Sequence, residues 1–228
     1  MTRRFTATIF ALIFGALTLS EVGFARDANR VEGQRDNDRD RGPRETETVD
    51  RTLPMPSGGT LRLKTFSGRV KITGGSGNQL VVHAIRRATR ERLNDIKLEI
   101  TQSGNTIEVD ANHRLVERRN DNVVDTDFEI QLPSATRLDI KTFSAPVTVI
   151  GVTASQNIDG FSSDITIESA EFGDGNNIDV NTFSGRFESD LPVTLNTSSR
   201  RNFRGALNGG GSGDFKLKTF SGDVTIHR

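Results

Sequence analysis

Five serines recur in one local context, at Ser67, Ser144, Ser162, Ser184 and Ser221, each directly after a phenylalanine. A recurring serine suggests a nucleophile only if a base and an orienting acid recur beside it. Here neither does: His83, His113 and His227 are scattered, without the spacing of a catalytic set or a zinc site. The acids closest to a ligand pattern are Asp139, Asp159 and Asp179, with Asn157. These four offer oxygen donors for a cation such as calcium, but the dense Gly-x-Asp repeat of calcium-binding turns is missing, so they read as solvated surface. The expectation is therefore a chain that is not an enzyme and has no cofactor or metal.

The serines belong to a unit written five times: LRLKTFSGRVKI from Leu61, LDIKTFSAPVTV from Leu138, QNIDGFSSDITI from Gln156, IDVNTFSGRFES from Ile178 and FKLKTFSGDVTI from Phe215. Within a copy, Leu61 and Leu63 alternate with Arg62 and Lys64, the period of a half-buried strand, and Val70 and Ile72 alternate again with opposite parity. The segment between must turn or bulge. Gly68, Gly185 and Gly222 fit a corner with positive φ, while Ala145 and Ser163 stand there in the other copies. Phe66, Phe143, Phe161, Phe183 and Phe220 lie 77, 18, 22 and 37 residues apart, close to one ~20-residue turn between the middle copies and two before the last. That period predicts an all-β fold, a single-stranded parallel β-solenoid, in which stacking turns places equivalent residues in columns. The stretch from Leu191 to Gly213 would be a degenerate turn between the last two copies.

In such columns the phenylalanines are expected inside, since the chain has 14 Phe but no Tyr or Trp, hence few aromatics with a polar tip. The serine hydroxyls would bond corner backbone groups. Outward positions form mixed-charge columns, Arg62, Asp139, Asn157, Asp179 and Lys216 beside Lys64, Lys141, Asp159, Asn181 and Lys218, with Lys141 and Asp159 a cross-turn pair. Between the first two copies, strands are expected at Gln79–Ile85, Ile96–Thr101, Thr106–Ala111 and Asp127–Leu132. Gln102-Ser103-Gly104-Asn105 reads as a hairpin loop. Arg86–Arg92 and Arg114–Asn122 read as charged projecting loops, with a short helix within Arg86–Asn94 as the alternative.

Ahead of the repeats, Arg3 and Arg4 precede an apolar run from Phe5 to Leu19 and small residues at Gly23 and Ala25, the pattern of a secretory signal over residues 1–25. At about 15 residues the run is short for a membrane span. Residues 26–52, more than half of them charged, read as a disordered spacer, and residues 53–228 as the repeat domain. No cysteine is present, which removes disulfides, and the net charge of +0 gives no broad field for nucleic acid. The final strand, Val224–Ile226, would be an open edge available for self-association.

The TFSG copies, the run DFEIQLPSATRLDIKTFS and the signal sequence together resemble the bacterial "putative adhesin" family of β-strand repeats, over about Leu53 to Arg228. The resemblance implies a right-handed β-solenoid in the cell envelope, periplasmic or surface-exposed. It brings no catalytic residues. The functional expectation is an exported scaffold that binds an envelope protein or surface polymer. A periplasmic envelope-stress or regulatory accessory binding one protein is the second reading, and a polysaccharide-active β-helix enzyme the third.

Overall fold

The computed structural model describes residues 43–114, 123–168, 176–199, 201–207 and 213–228. The expected signal sequence and most of the charged spacer lie outside these residues. The described chain is almost entirely strand. In order it forms β1 (Arg44–Pro54), β2 (Thr60–Thr65), β3 (Gly68–Gly75), β4 (Gln79–Thr89), α1 (Arg90–Asp95), β5 (Ile96–Ser103), β6 (Thr106–Arg114), β7 (Asp125–Pro133), β8 (Arg137–Thr142) and β9 (Val147–Ile150). There follow β10 (Gln156–Gly160), β11 (Ile165–Glu168), β12 (Asn176–Thr182), β13 (Phe187–Ser189), β14 (Val193–Ser198), β15 (Asn202–Leu207), β16 (Gly213–Thr219) and β17 (Val224–His227).

Each repeat contributes its first strand to one sheet and its second to the other. The sheet orders are β1-β4-β7-β3-β9-β11-β17-β13 and β14-β15-β12-β16-β10-β8-β2-β6-β5. Pairing between repeats is parallel and in register, with Leu61 beside Leu138, Leu63 beside Ile140 and Thr65 beside Thr142. The inner faces pack as aliphatic columns. Val109, Leu63, Ile140, Ile158, Leu217 and Val180 line one sheet, and Ile72, Val149, Ile167 and Ile226 the other, all buried in one core.

The fold is all-β, as expected, but its two sheets are mixed. Antiparallel strands flank the parallel centre at β1-β4-β7, β5-β6 and β12-β15-β14. Nor does the chain stack its repeats in sequence order. Copy five, β16 and β17, lies between copies three and four, so β12 has the consecutive strands β15 and β16 on either side. The presumed degenerate turn is thus the antiparallel hairpin β14-β15, beyond copy four. The expected open C-terminal edge is corrected by the same topology: β17 is bonded on both sides, to β11 and β13, and Val224 and Ile226 are fully buried.

The strands between the first two copies run slightly longer than expected, and Gly104, at φ 58°, turns the β5-β6 hairpin as the sequence suggested. Two other expectations change. Strand order begins at Arg44, inside the segment read as disordered, because β1 pairs with β4 over its whole length. Ion pairs across that edge join Glu47 to Arg86 and Glu45 to Arg90, and His83 shares a hydrogen bond with Asp50. Arg86 is therefore no loop residue: it lies on β4, buried, donating also to the Ile96 carbonyl at 2.6 Å, and the helix begins only at Arg90.

At the corners, glycine answers two different needs. Gly68 has the expected positive φ, 104°. Gly185 and Gly222 do not share it; they allow neighbouring corners to approach, since a Cβ on Gly185 would fall 1.7 Å from the Gly222 carbonyl oxygen. We predict that Gly185→Ala, forcing those backbones apart, costs about 2 kcal/mol or more and lowers Tm by roughly 5 °C. An unchanged melting curve would refute the close approach. Gln156 should tolerate exchange better. It sits buried in the column Leu61, Leu138, Gln156, Phe215, Ile178, with its Nε2 donating to the Val152 carbonyl at 3.1 Å and its Oε1 unpartnered. Gln156→Leu removes the unpaired acceptor but also takes the donor from a buried carbonyl, two effects of about 1 kcal/mol and opposite sign, so it should shift Tm by less than Gly185→Ala in the same assay.

Candidate functional site

Continuing the alternation of the first strand decides where the corner residues point. In β2, Leu61, Leu63 and Thr65 face inward, which sends Arg62, Lys64 and Phe66 to the outer face. The other copies follow. Thr65, Thr142, Thr219 and Thr182 form a buried column at the core's margin, where their hydroxyls serve the corner backbone. Thr142 Oγ1 accepts from the Ala145 N–H at 3.0 Å, Thr182 Oγ1 from the Gly185 N–H at 2.9 Å, and Thr219 Oγ1 donates to the Ser163 carbonyl at 3.0 Å. Copy three exchanges the pair: Gly160 stands in the threonine position and buried Ser163 in the glycine position, where a Cβ on Gly160 would meet Ser163 Cβ at 2.8 Å.

The five phenylalanines are accordingly not core, which corrects the expectation from composition. Phe143, Phe161, Phe183 and Phe220 are 43–47% exposed and Phe66 is half-buried. They do form one column, in the spatial order Phe66, Phe143, Phe161, Phe220, Phe183. Ring centroids are 4.5, 4.9, 4.9 and 4.6 Å apart, with planes within 13° of parallel. The spacing is that of the strands beneath. Backbone bonds run through the corners under the rings, as from the Ser144 N–H to the Phe66 carbonyl at 2.8 Å and from the Ser162 N–H to the Phe143 carbonyl at 2.7 Å. Serine hydroxyls reinforce them: Ser144 donates to the Phe66 carbonyl and Ser184 to that of Phe220, while Ser67 bonds Asp125. Ser221 and Ser162 contribute corner amides.

Beside the ladder, the outer face carries the two charged columns, reordered by the topology. The first runs Glu108, Arg62, Asp139, Asn157, Lys216, Asp179, Arg204. Opposite charges alternate along it almost throughout, and Arg204 bonds Asp179 at 3.1 Å. Asp139 and Asp179 are thus separated by Asn157 and Lys216 and do not share a cation, and among the described residues no group of three acidic or histidine side chains is arranged for a metal. In the second column, Asp159 lies between Lys141 and Lys218 and pairs with Lys218 at 3.3 Å, not with Lys141. Lys64 bonds Glu108 at 2.6 Å; that hydrogen bond raises the Lys64 pKa and lowers that of Glu108.

Between this column and the phenyl ridge runs a cleft of about 570 Å³, bounded by Lys141, Asp159, Lys218 and Asn181 on one side and by Phe161, Phe220 and Phe183 on the other. Arg201, in the β14-β15 turn, closes its end by laying its guanidinium 3.7 Å from the Phe183 ring centroid.

A solved structure described as a "putative cell adhesion protein" from Clostridium sporogenes is similar in fold, matching 79% of this chain and 99% of its own at 11% identity and a TM-score of 0.50. Another, described as a "putative adhesin" from Parabacteroides distasonis, covers 82% of this chain and 71% of its own at 10% identity and a TM-score of 0.27, too low to bear on the fold. No protein-family model and no curated protein matches the chain. Among the described residues no helix is long and apolar enough to cross a membrane.

Stacking hides the ring faces and leaves only their edges outward. The ladder therefore offers no ring face on which a sugar could lie, except the outer face of Phe66, because Arg201 covers that of Phe183. It presents a continuous apolar rail whose edges carry partial positive charge. Ring coupling is measurable by a double-mutant cycle on Phe161→Ala and Phe220→Ala, followed by urea unfolding. The expected interaction energy is about 0.5–1.5 kcal/mol; strictly additive losses would mean that the rings do not stack in solution.

Proposed function

We propose that the chain is an exported, non-enzymatic binding scaffold of the bacterial cell envelope, adhesin-like in role, whose contact surface is the outer face carrying the phenyl rail. The observation that carries this reading is the rail itself. Four phenyl rings 43–47% exposed, held in register with half-buried Phe66 on the outer face of a sheet, have a cost that a purely structural column would avoid by turning inward, and an exposed apolar strip bordered by charge marks an interaction site. The parallel centre of the fold supports a solenoid-like scaffold role, since repeats pairing in register hold such a row straight. Likeness to the Clostridium sporogenes structure and the signal-like N-terminus support an envelope setting.

Several corner serines are engaged with carbonyls or, at Ser67, with a carboxylate, and most outward acids are paired with cations, which supports binding over catalysis. The partner is proposed to be an envelope protein or a surface polymer; a periplasmic accessory role with one protein partner remains the alternative, and fractionation separates the two. Expressed in a bacterial host, the full chain should be exported and, if surface-displayed, degraded by protease added to intact cells. The labelled protein should bind bacterial envelopes, and Phe161→Asp with Phe220→Asp should reduce that binding at least tenfold while preserving the strand signal in circular dichroism. Undiminished binding by that variant would remove the rail from the interface.

A further inference from the structure

Resting on the reading of the rail as a contact surface, we infer that the cleft beside it binds a monomeric anionic amphiphile, a linear acyl chain ending in a carboxylate, with the carboxylate held by Arg201. Three features point to that chemistry together. The wall formed by Phe161, Phe220 and Phe183 is an unbroken apolar surface, and the cleft's 570 Å³ suits one small elongated molecule. From Lys141 on β8 to Arg201 over β12 it crosses three strand spacings, about 14 Å, so its occupant must be long and narrow.

The charge on the cleft is net positive: Lys141, Lys218 and Arg201 line it against one carboxylate, Asp159, which lies between the two lysines and pairs with Lys218, while the Arg201 guanidinium has no ion pair among the described residues. An occupant bearing negative charge complements them, and the electropositive ring edges lean the same way. Arg201 is also suited to an oxyanion head group such as a carboxylate: its guanidinium carbon lies 3.7 Å over the Phe183 ring centroid, a contact that restrains the side chain at the cleft's end, and a guanidinium fork can take a carboxylate through two N–H donors. Lys141, at the far end, adds attraction without that geometry.

Calorimetric titration of the full chain tests the assignment with three probes of one chain length, each kept below micelle-forming concentration: dodecanoate, dodecyl maltoside and dodecyltrimethylammonium. Dodecanoate should bind at least tenfold more tightly than the neutral probe, and the cationic probe should not bind measurably. Arg201→Gln should weaken dodecanoate roughly tenfold, Arg201→Lys nearly as much because the fork is lost, and Lys141→Gln by a smaller factor. Phe161→Ser should remove binding of every probe while circular dichroism stays unchanged. Equal affinity for the three head groups, or an Arg201→Gln variant that binds as well as the parent, would overturn the inference. So would the absence of monomer binding combined with co-sedimentation on phosphatidylglycerol vesicles, which would make a membrane surface the partner. The two readings fail separately: envelope binding that needs the rail but no dodecanoate uptake leaves the scaffold role standing, whereas uptake without rail-dependent envelope binding removes that role and keeps the ligand.

Discussion

Parallel, in-register pairing of nearly identical segments is the constraint on which the rest of this molecule depends. When Leu63 must lie beside Ile140 and Ile140 beside Ile158, every residue choice is made once and repeated at a strand's spacing. Inside, that repetition is favourable, because aliphatic columns close on themselves without leaving voids. Outside, it is hazardous, because like charges would stack as readily as like methyls. The outer columns meet the hazard by varying the charged positions while the core positions stay constant, and Arg62, Asp139, Asn157, Lys216, Asp179 alternate better in space than they do along the chain.

How far the sequence revealed this follows from the same constraint. Repeats, strand periodicity, the Gly104 hairpin and the existence of columns were all legible, since each is a local pattern. The side of the wall on which the phenyl rings stand was legible too, but only by carrying period two through Thr65; hydrophobicity argued for the interior, and parity overrode it because a threonine hydroxyl can serve the corner amide while a ring cannot. The glycines were found by position and mistaken in cause at Gly185 and Gly222, where inter-turn approach and not φ forbids a side chain. β1 was missed because its sequence has little apolar content; its order derives from backbone pairing and from ion pairs such as Glu47 with buried Arg86, whose partners are roughly forty residues away.

The stacking order of the last two copies was not legible at all. Segments that present the same edge to a neighbour are interchangeable as partners, and the distance between Phe183 and Phe220 along the chain measures loop length, not the side on which the strand docks. Both orders keep like over like. What distinguishes them is local to the end of the stack: β15 pairs antiparallel with β12 on one flank, so the next strand, β16, takes the other.

That exchange shapes the functional face. Because copy five inserts inside the stack, Phe183 becomes the terminal ring, directly beside the hairpin that carries Arg201. In the simple sequential order Phe220 would end the ladder, and Phe183 would have ring neighbours on both faces with nothing left for a guanidinium to cover. The arginine and the cleft's closed, cationic end therefore arise from topology acting on repeats that are otherwise alike. A feature written once, in the hairpin, gives direction to a surface that the repeats alone would have left uniform from end to end.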